Sequence, residues 1–440
     1  MTMMTEKTRL KILVTLLAGA MALAVLSCLL PSQADAQTRG GAGQVRPATG
    51  SSWSVTPSDY NGTLFGRQRV AVSYNLTDVI NTYGFDPEVW GSRGDGGITS
   101  LTNEAALLLT APSDGGFITI ETHNKYRYQA GHAQLILQTA TIPTVLDVGV
   151  QGLYRFGYYD DGDGLFWQTD TRTASPTYGL GFVRRTSTDG GVTDNWTAVS
   201  SSLTTPVNLI NGNIFETRFA WLGIHEADGY INGVKRFMEN FDGRLPVVYM
   251  KTAFLPLRAE VAGVGAQLKY ICSSVQSEGG QEPPGIGFSV VRPTAKSITS
   301  GAGILPVIAV RPATTFGGQP SRVQSFPTSV TCAADNATTR VYAVLNPTTL
   351  TGASWAAVDP NSAMQVDVAA TAYVGGTVVD IMGGSSSAPT EKNLSHVFNE
   401  LGRRLKVRAF GASQDVLLIA VDTLTGTASS SCSVSWNEVR

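Results

Sequence analysis

The run from Phe215 to Trp221 sets the terms for this chain, because Phe215, Thr217, Phe219 and Trp221 alternate with Glu216, Arg218 and Ala220. A period of two puts the first four on one face of a strand, whereas a helix would scatter them around its axis. Asn232 and Gly233 follow shortly after. That pair accepts the two positive φ angles of a type I′ turn, so a tight hairpin is expected within Tyr230–Phe237. Pro256, set between Leu255 and Leu257, fixes an extended connector. Leu268, Tyr270, Cys272 and Ser274 then alternate again before Gly279 and Gly280 end the run.

Composition extends this reading to the whole chain. With 47 Gly, 20 Pro and only 15% charged residues in 440, many short strands joined by tight turns are favoured over long surface helices. The length exceeds one typical domain. The expected class is all-β, with two β-sandwich or jelly-roll-like units behind an N-terminal segment. The expected divisions are a signal or anchor over 1–36, an arm and β-rich region over 37–125, and a central sandwich over 126–292. A Ser/Thr/Gly-rich linker over 293–303 and a C-terminal β domain over 304–440 follow. Asn103–Leu109 reads as a helical turn. Leu417, Leu418 and Ile419 are apolar without alternation and are expected to be buried on both sides. Ser395–Leu405 fits helix and strand equally.

Lys7, Arg9 and Lys11 precede an apolar run from Ile12 to Leu30, which is followed by Ala34, Asp35 and Ala36. These are the three parts of a secretory signal, with cleavage expected after Ala36. As a helix the run would span roughly 28 Å, so an uncleaved anchor is the alternative. Gln37–Ser52 has no periodicity and reads as a flexible arm. With 32 Lys+Arg against 34 Asp+Glu and no basic stripe, nucleic acid is not an expected partner.

Cleavage would leave Cys272, Cys332 and Cys432. Cys332 shares a strand face with Val330, and Cys432 shares one with Val434 and Trp436. Either these two bridge and leave Cys272 free, or all three are buried and reduced.

Asp160, Asp161 and Asp163 crowd one turn, which must be solvated or hold a cation. The calcium-loop pattern fails where Leu165 and Phe166 replace further ligands, so a solvated hairpin turn between Tyr154–Tyr159 and Leu165–Gln168 is expected. Glu226 and Asp228 would share a strand face roughly 7 Å apart, the spacing of an inverting glycosidase. Trp221 and Tyr230 stand near enough to stack on sugar. The competing reading is two exposed carboxylates at a hairpin end. The four histidines lie at no metal-ligand spacing, and no P-loop, G-x-S-x-G or paired C-x-x-C is present. No cofactor and no metal site are expected.

The same block also resembles a family of tailed-phage virion structural proteins. The likeness continues upstream in KYRYQAGHAQLIL (Lys125–Leu137), RFGYYDDGDGLFWQ (Arg155–Gln168) and GFVRRTSTDGGVTDNW (Gly181–Trp196). Downstream it is carried by PVIAVRP (Pro306–Pro312), FPTSVTCAADN (Phe326–Asn336), LNPTTLTGASWAAVDPNS (Leu345–Ser362) and SVSWNEVR (Ser433–Arg440). The resemblance implies a non-enzymatic particle component that assembles with itself and with other virion proteins. The alternative expectation, favoured by the signal segment, is an exported bacterial carbohydrate-binding or adhesive β-sandwich that uses Trp221, Tyr230, Glu226 and Asp228 on a cell-surface glycan. A glycosidase resting on Glu226 and Asp228 is the third.

Overall fold

Strands with one apolar face must stack that face on a second sheet, and this chain does so twice. The computed structural model describes residues 73–147, 149–187, 191–220, 227–239, 248–279, 285–335, 337–384, 389–400 and 403–440. The signal segment, the arm, Trp221 and Glu226 therefore lie outside the described residues. Among the described residues nearly everything regular is antiparallel strand, and no helix is long and apolar enough to cross a membrane.

The first sandwich pairs an eight-stranded sheet with a seven-stranded one. At the centre of the first sheet Gln267–Ser277 pairs with Gln134–Thr141, Ala106–Thr110 and Tyr74–Ile80, and Asn213–Phe219 continues outward from Gln134–Thr141. In the second sheet Leu257–Ala262 lies between Leu153–Tyr159 and Phe117–Thr122. The inward faces supply Phe156, Tyr158, Trp167, Phe182, Phe215 and Phe219 to one core. Their rings meet edge-on or tilted, for example Phe156 on Phe215 at 4.7 Å and Trp167 on Phe182 at 5.2 Å. Such pairs add about 0.5–1.5 kcal/mol each to the larger gain from burying the rings.

The second sandwich stacks a five-stranded sheet on a six-stranded one. Thr427–Val439 is its longest strand and pairs with Gln324–Asp335, Ile286–Val291 and Lys296–Thr299. Cys332 and Cys432 are cross-strand partners joined by a disulfide, with Cα atoms 4.1 Å apart. The Cys432 carbonyl accepts the Arg292 N–H on its other side, so the two cysteines form a non-hydrogen-bonded pair, the register in which side chains come closest. Cys272 is free and half-buried. Leu417, Leu418 and Ile419 are all buried, as expected. Ile419 faces the main core, while Leu418 and Ala420 meet Ala309, Tyr342 and Val344 on the other side of the sheet.

The hairpin expected at Asn232-Gly233 is present: Ala227–Ile231 and Val234–Glu239 pair, and both turn residues have positive φ, 51° and 76°. Three expectations need correction. Asn103–Leu109 is no helical turn, because Ala106–Thr110 is a strand whose apolar run is covered on both faces. Short apolar runs of this kind do not reveal their period. Strands before Tyr126, from Tyr74 onward, build both sheets of the first sandwich, so the sheets ignore the division drawn there. Within 293–303, Lys296–Thr299 is a strand on Thr427–Val439, with Ile298 in the core. Of the segment that fitted helix and strand equally, His396–Glu400 is a helical turn and Leu405 bridges to Ser325.

Candidate functional site

Of the residues singled out by spacing, Asp228 and Tyr230 sit on the outer face of the eight-stranded sheet. Alternation sends Phe215 and Phe219 inward and Glu216 and Arg218 outward, and the register sets Glu216 beside Tyr230 and Arg218 beside Asp228. Asp228 is 3% exposed and accepts from Lys235 Nζ at 3.1 Å and from the Tyr230 hydroxyl at 3.3 Å. Tyr230 is 2% exposed, and the Arg218 guanidinium stands 4.3 Å from its ring centroid, paired also with Glu216. Burial, then the neighbouring Asp228 charge, pushes the Tyr230 hydroxyl up to about 12. Tyr230 thus turns its ring to an arginine, and Asp228 is a buried member of an ion-pair network rather than an exposed carboxylate at a hairpin end. Trp221 and Glu226 lie outside the described residues.

The acidic turn is a hairpin between Leu153–Tyr159 and Gly164–Asp170, but it is not simply solvated. Asp160 Oδ1 accepts the backbone N–H groups of Gly162 and Asp163 at 2.8 and 3.0 Å, while its other oxygen meets Arg322. Asp163 Oδ1 takes the Ser187 N–H at 3.0 Å. Asp161 receives two N–H groups of Arg93 at 2.9 and 3.0 Å and one of Arg258 at 2.6 Å. Protein cations and N–H groups therefore occupy these carboxylates. Among the described residues no set of three His, Cys, Asp or Glu side chains is placed to hold a metal ion.

Around that turn the two sandwiches face each other across a cleft of about 440 Å³. Its floor is Arg258, 2% exposed, which donates to Glu121 through Nε at 2.9 Å and to Asp161. Leu257, Ala259 and Val261 enter the core, so the strand period turns Arg258 to the outside, and its register partner across the sheet is Glu121. Burial pulls the Arg258 guanidinium down, but the charges of Glu121 and Asp161 more than offset this and keep it protonated. Burial raises the Asp161 carboxyl, yet Arg93 and Arg258 outweigh it and hold Asp161 well below the usual carboxylate range.

The opposite wall comes from the second sandwich, through the turn Ala409–Gly411. Phe410 is held at φ 56°, a left-handed conformation that costs a bulky residue about 1–2 kcal/mol. Two contacts from the first sandwich pin the turn. The Phe410 N–H donates to Glu121 Oε1 at 3.2 Å, and the Ala409 N–H donates to His123 Nδ1 at 3.1 Å. His123 Nε2 in turn donates to the Pro87 carbonyl at 2.9 Å, so the ring is the neutral Nε2–H tautomer. The Phe410 ring lies 4.6 Å from the Arg93 guanidinium carbon and 5.3 Å from that of Arg258. Lys125 Nζ reaches the Val407 carbonyl at 3.3 Å, and Phe254 of the first sandwich packs with Phe326 and Val439 of the second.

Sequence reading missed Glu121, Lys125, Arg258 and Phe410. A signal existed for two of them. Arg258 and Glu260 alternate with Leu257, Ala259 and Val261, and Thr119 and Glu121 alternate with Ile118 and Ile120 in the same way. Opposite charges on the covered faces of two apolar strands point to cross-strand partners. Nothing local marks Phe410.

No protein-family model matches the chain, and neither does any curated protein. Solved structures that resemble it do so distantly. An endo-1,3-beta-glucanase from Streptomyces sioyaensis matches at 12% identity over 47% of this chain and 96% of its own, with a TM-score of 0.34. The exoplasmic/lumenal domain of VIP36 in a Ca²⁺/Man3GlcNAc-bound form matches at 14%, over 49% and 93%, with 0.32. The metal-free carbohydrate recognition domain of Emp46p matches at 9%, over 42% and 87%, with 0.31. Scores at this level carry no inference about function.

Proposed function

We propose that the protein is an exported, non-enzymatic β-sandwich protein that binds carbohydrate in the cleft between its two sandwiches. The observation that carries this reading is the pre-formed polar lining, in which Arg258, Glu121 and Asp161 fix one another beside the Phe410 ring. A hydroxyl-rich ligand calls for rigid donors and acceptors plus an aromatic surface against its C–H groups, in a cavity of about 300–1,000 Å³. Side chains already locked lose little further freedom on binding. Glycoside hydrolysis instead needs one carboxyl that keeps its proton. Asp161 is held ionised by two arginines, and Glu121 is taken up by Arg258 and the Phe410 N–H, so this acidic pair suits holding better than cutting.

Phe410→Gly tests the reading, since it removes the ring and puts at φ 56° a residue that tolerates it. On a glycan array followed by calorimetry, the folded variant is expected to bind about tenfold more weakly with unchanged or slightly raised thermal stability. A correctly folded wild-type protein that binds no glycan on a broad array would sink the proposal.

A second reading, a homo-oligomeric virion scaffold, draws on the sequence resemblance and on one edge strand. Thr377–Gly384 closes the six-stranded sheet and presents Val378 and Ile381, 47% and 53% exposed, for pairing with a second copy. Ile381→Lys is expected to abolish self-association in sedimentation runs. A wild-type protein that stays monomeric and is absent from purified particles removes this reading.

A further inference from the structure

The charges lining the cleft are unequally satisfied. Among the described residues, all four carboxylates there already have partners: Glu121 on Arg258, Asp160 on Arg322, Asp161 on Arg93 and Arg258, and Asp163 on Ser187. Lys125 differs from them. It is 9% exposed, and its ammonium has one acceptor, the Val407 carbonyl at 3.3 Å, with no carboxylate in ion-pair range among the described residues. An ammonium carries three donors, and burying it without a counter-charge is costly. Burial accordingly pulls the Lys125 pKa below 10.5. Exposed Lys251 lines the same cleft and likewise has no ion-pair partner among the described residues.

From this imbalance we infer that the ligand of the cleft is an acidic carbohydrate, whose anionic group is held by Lys125 with Lys251 at the entrance. The inference rests on the glycan-binding reading above and narrows it to one class of sugar. Glu121 and Asp160 act on Lys125 only from beyond ion-pair range; an oxygen anion arriving there satisfies the donors that the protein leaves open, whereas a neutral sugar brings the buried ammonium no ion-pair partner. The acid is a uronic carboxylate or a sulfate ester. Both present oxygens to an ammonium in the same way.

Calorimetry on the full chain separates these sources and the two levels of proposal. The probes are an oligosaccharide of glucuronic acid, its methyl ester, a sulfated oligosaccharide and a neutral glucose oligosaccharide. Binding of either acidic probe is expected, with the neutral probe and the methyl ester roughly 10–100-fold weaker, as the loss of one charge-assisted hydrogen bond implies. Lys125→Met should erase that preference, and Lys251→Ala should weaken acidic binding alone, which keeps the test open if the buried variant fails to fold. Equal binding of the neutral and acidic probes, unchanged in both variants, overturns the inference while leaving a glycan site in place. Binding of none of the four overturns both.

Discussion

Arg218 and Arg258 invite comparison, because each is a nearly sealed arginine on the outer face of a sheet in the same sandwich, and each stands opposite a carboxylate in register. Arg218 finds its partners close along the chain, with Glu216 two residues before it and Asp228 and Tyr230 on the next strand of the hairpin. Arg258 finds Glu121 at a separation of 137 residues and Asp161 at 97, and its network continues into the other sandwich at Phe410. The hairpin network closes on itself: Arg218 donates to Glu216 and faces the Tyr230 ring, while Lys235 and the Tyr230 hydroxyl donate to Asp228. The one at Arg258 opens on a cleft. Two similarly sealed arginines in similar registers thus do different work: one ties a hairpin to itself, the other reaches through Glu121 to the second sandwich.

The largest expected effect is on stability. Arg258→Met leaves Glu121 buried without its cation and should cost about 3–5 kcal/mol in urea unfolding. Adding Glu121→Gln should recover part of that, since the second change removes the stranded charge. Arg218→Met should cost a comparable amount yet leave ligand binding in the cleft intact. If Arg218→Met abolishes binding as well, the contrast between a closed and an open network fails.

Acid should act next, through His123 beside the cleft. Burial, helped by the charges of Arg408 and Lys406, outweighs the hydrogen bond to Pro87 and the charge of Asp415 and lowers the His123 pKa from 6.5. Around the ring Arg408 pairs with Glu88 and Asp415, and Lys406 also pairs with Asp415. With a depressed folded value the unfolded chain takes the proton first. The stability is therefore fully present above about pH 6.5 and is lost as pH falls from there through the folded pKa. Protonation also removes the acceptor for the Ala409 N–H, so the Phe410 turn should loosen. Thermal unfolding against pH should show this slope in the wild type and a flatter one in His123→Gln; equal slopes would assign the acid sensitivity elsewhere.

The smallest effect belongs to the hairpin. Gly233→Ala forces a side chain into φ 76° and should cost about 1–2 kcal/mol without changing cleft binding. A loss of binding in that variant would couple the two regions.

This contrast also explains what could be read from the sequence. The hairpin, its turn and the strand of Phe215 and Phe219 were legible because period and turn chemistry are local, and the doubly buried run at Leu417 was legible for the same reason. Asp228 and Tyr230 were found by spacing, but spacing says nothing of what covers a face, so their burial was not. The cleft was out of reach because Glu121, Arg258 and Phe410 meet only after both sandwiches form. Asp160 and Asp163 looked solvated because their partners Arg322 and Ser187 come from later strands and loops. The cysteines shared faces with core residues, yet only the register of Gln324–Asp335 on Thr427–Val439 sets Cys332 against Cys432.

That last strand bears on how the protein is made. Three strands of the second sandwich depend on Thr427–Val439 for their hydrogen bonds, just as the first sandwich hangs on Gln267–Ser277. During synthesis the first sandwich can close once residue 277 has left the ribosome, while the second waits with open edges until residue 439 does. A stall in translation between those points would release a finished half joined to an unpaired sheet, the species most prone to aggregate. The half-made chain, more than the finished protein, is where a chaperone would be needed.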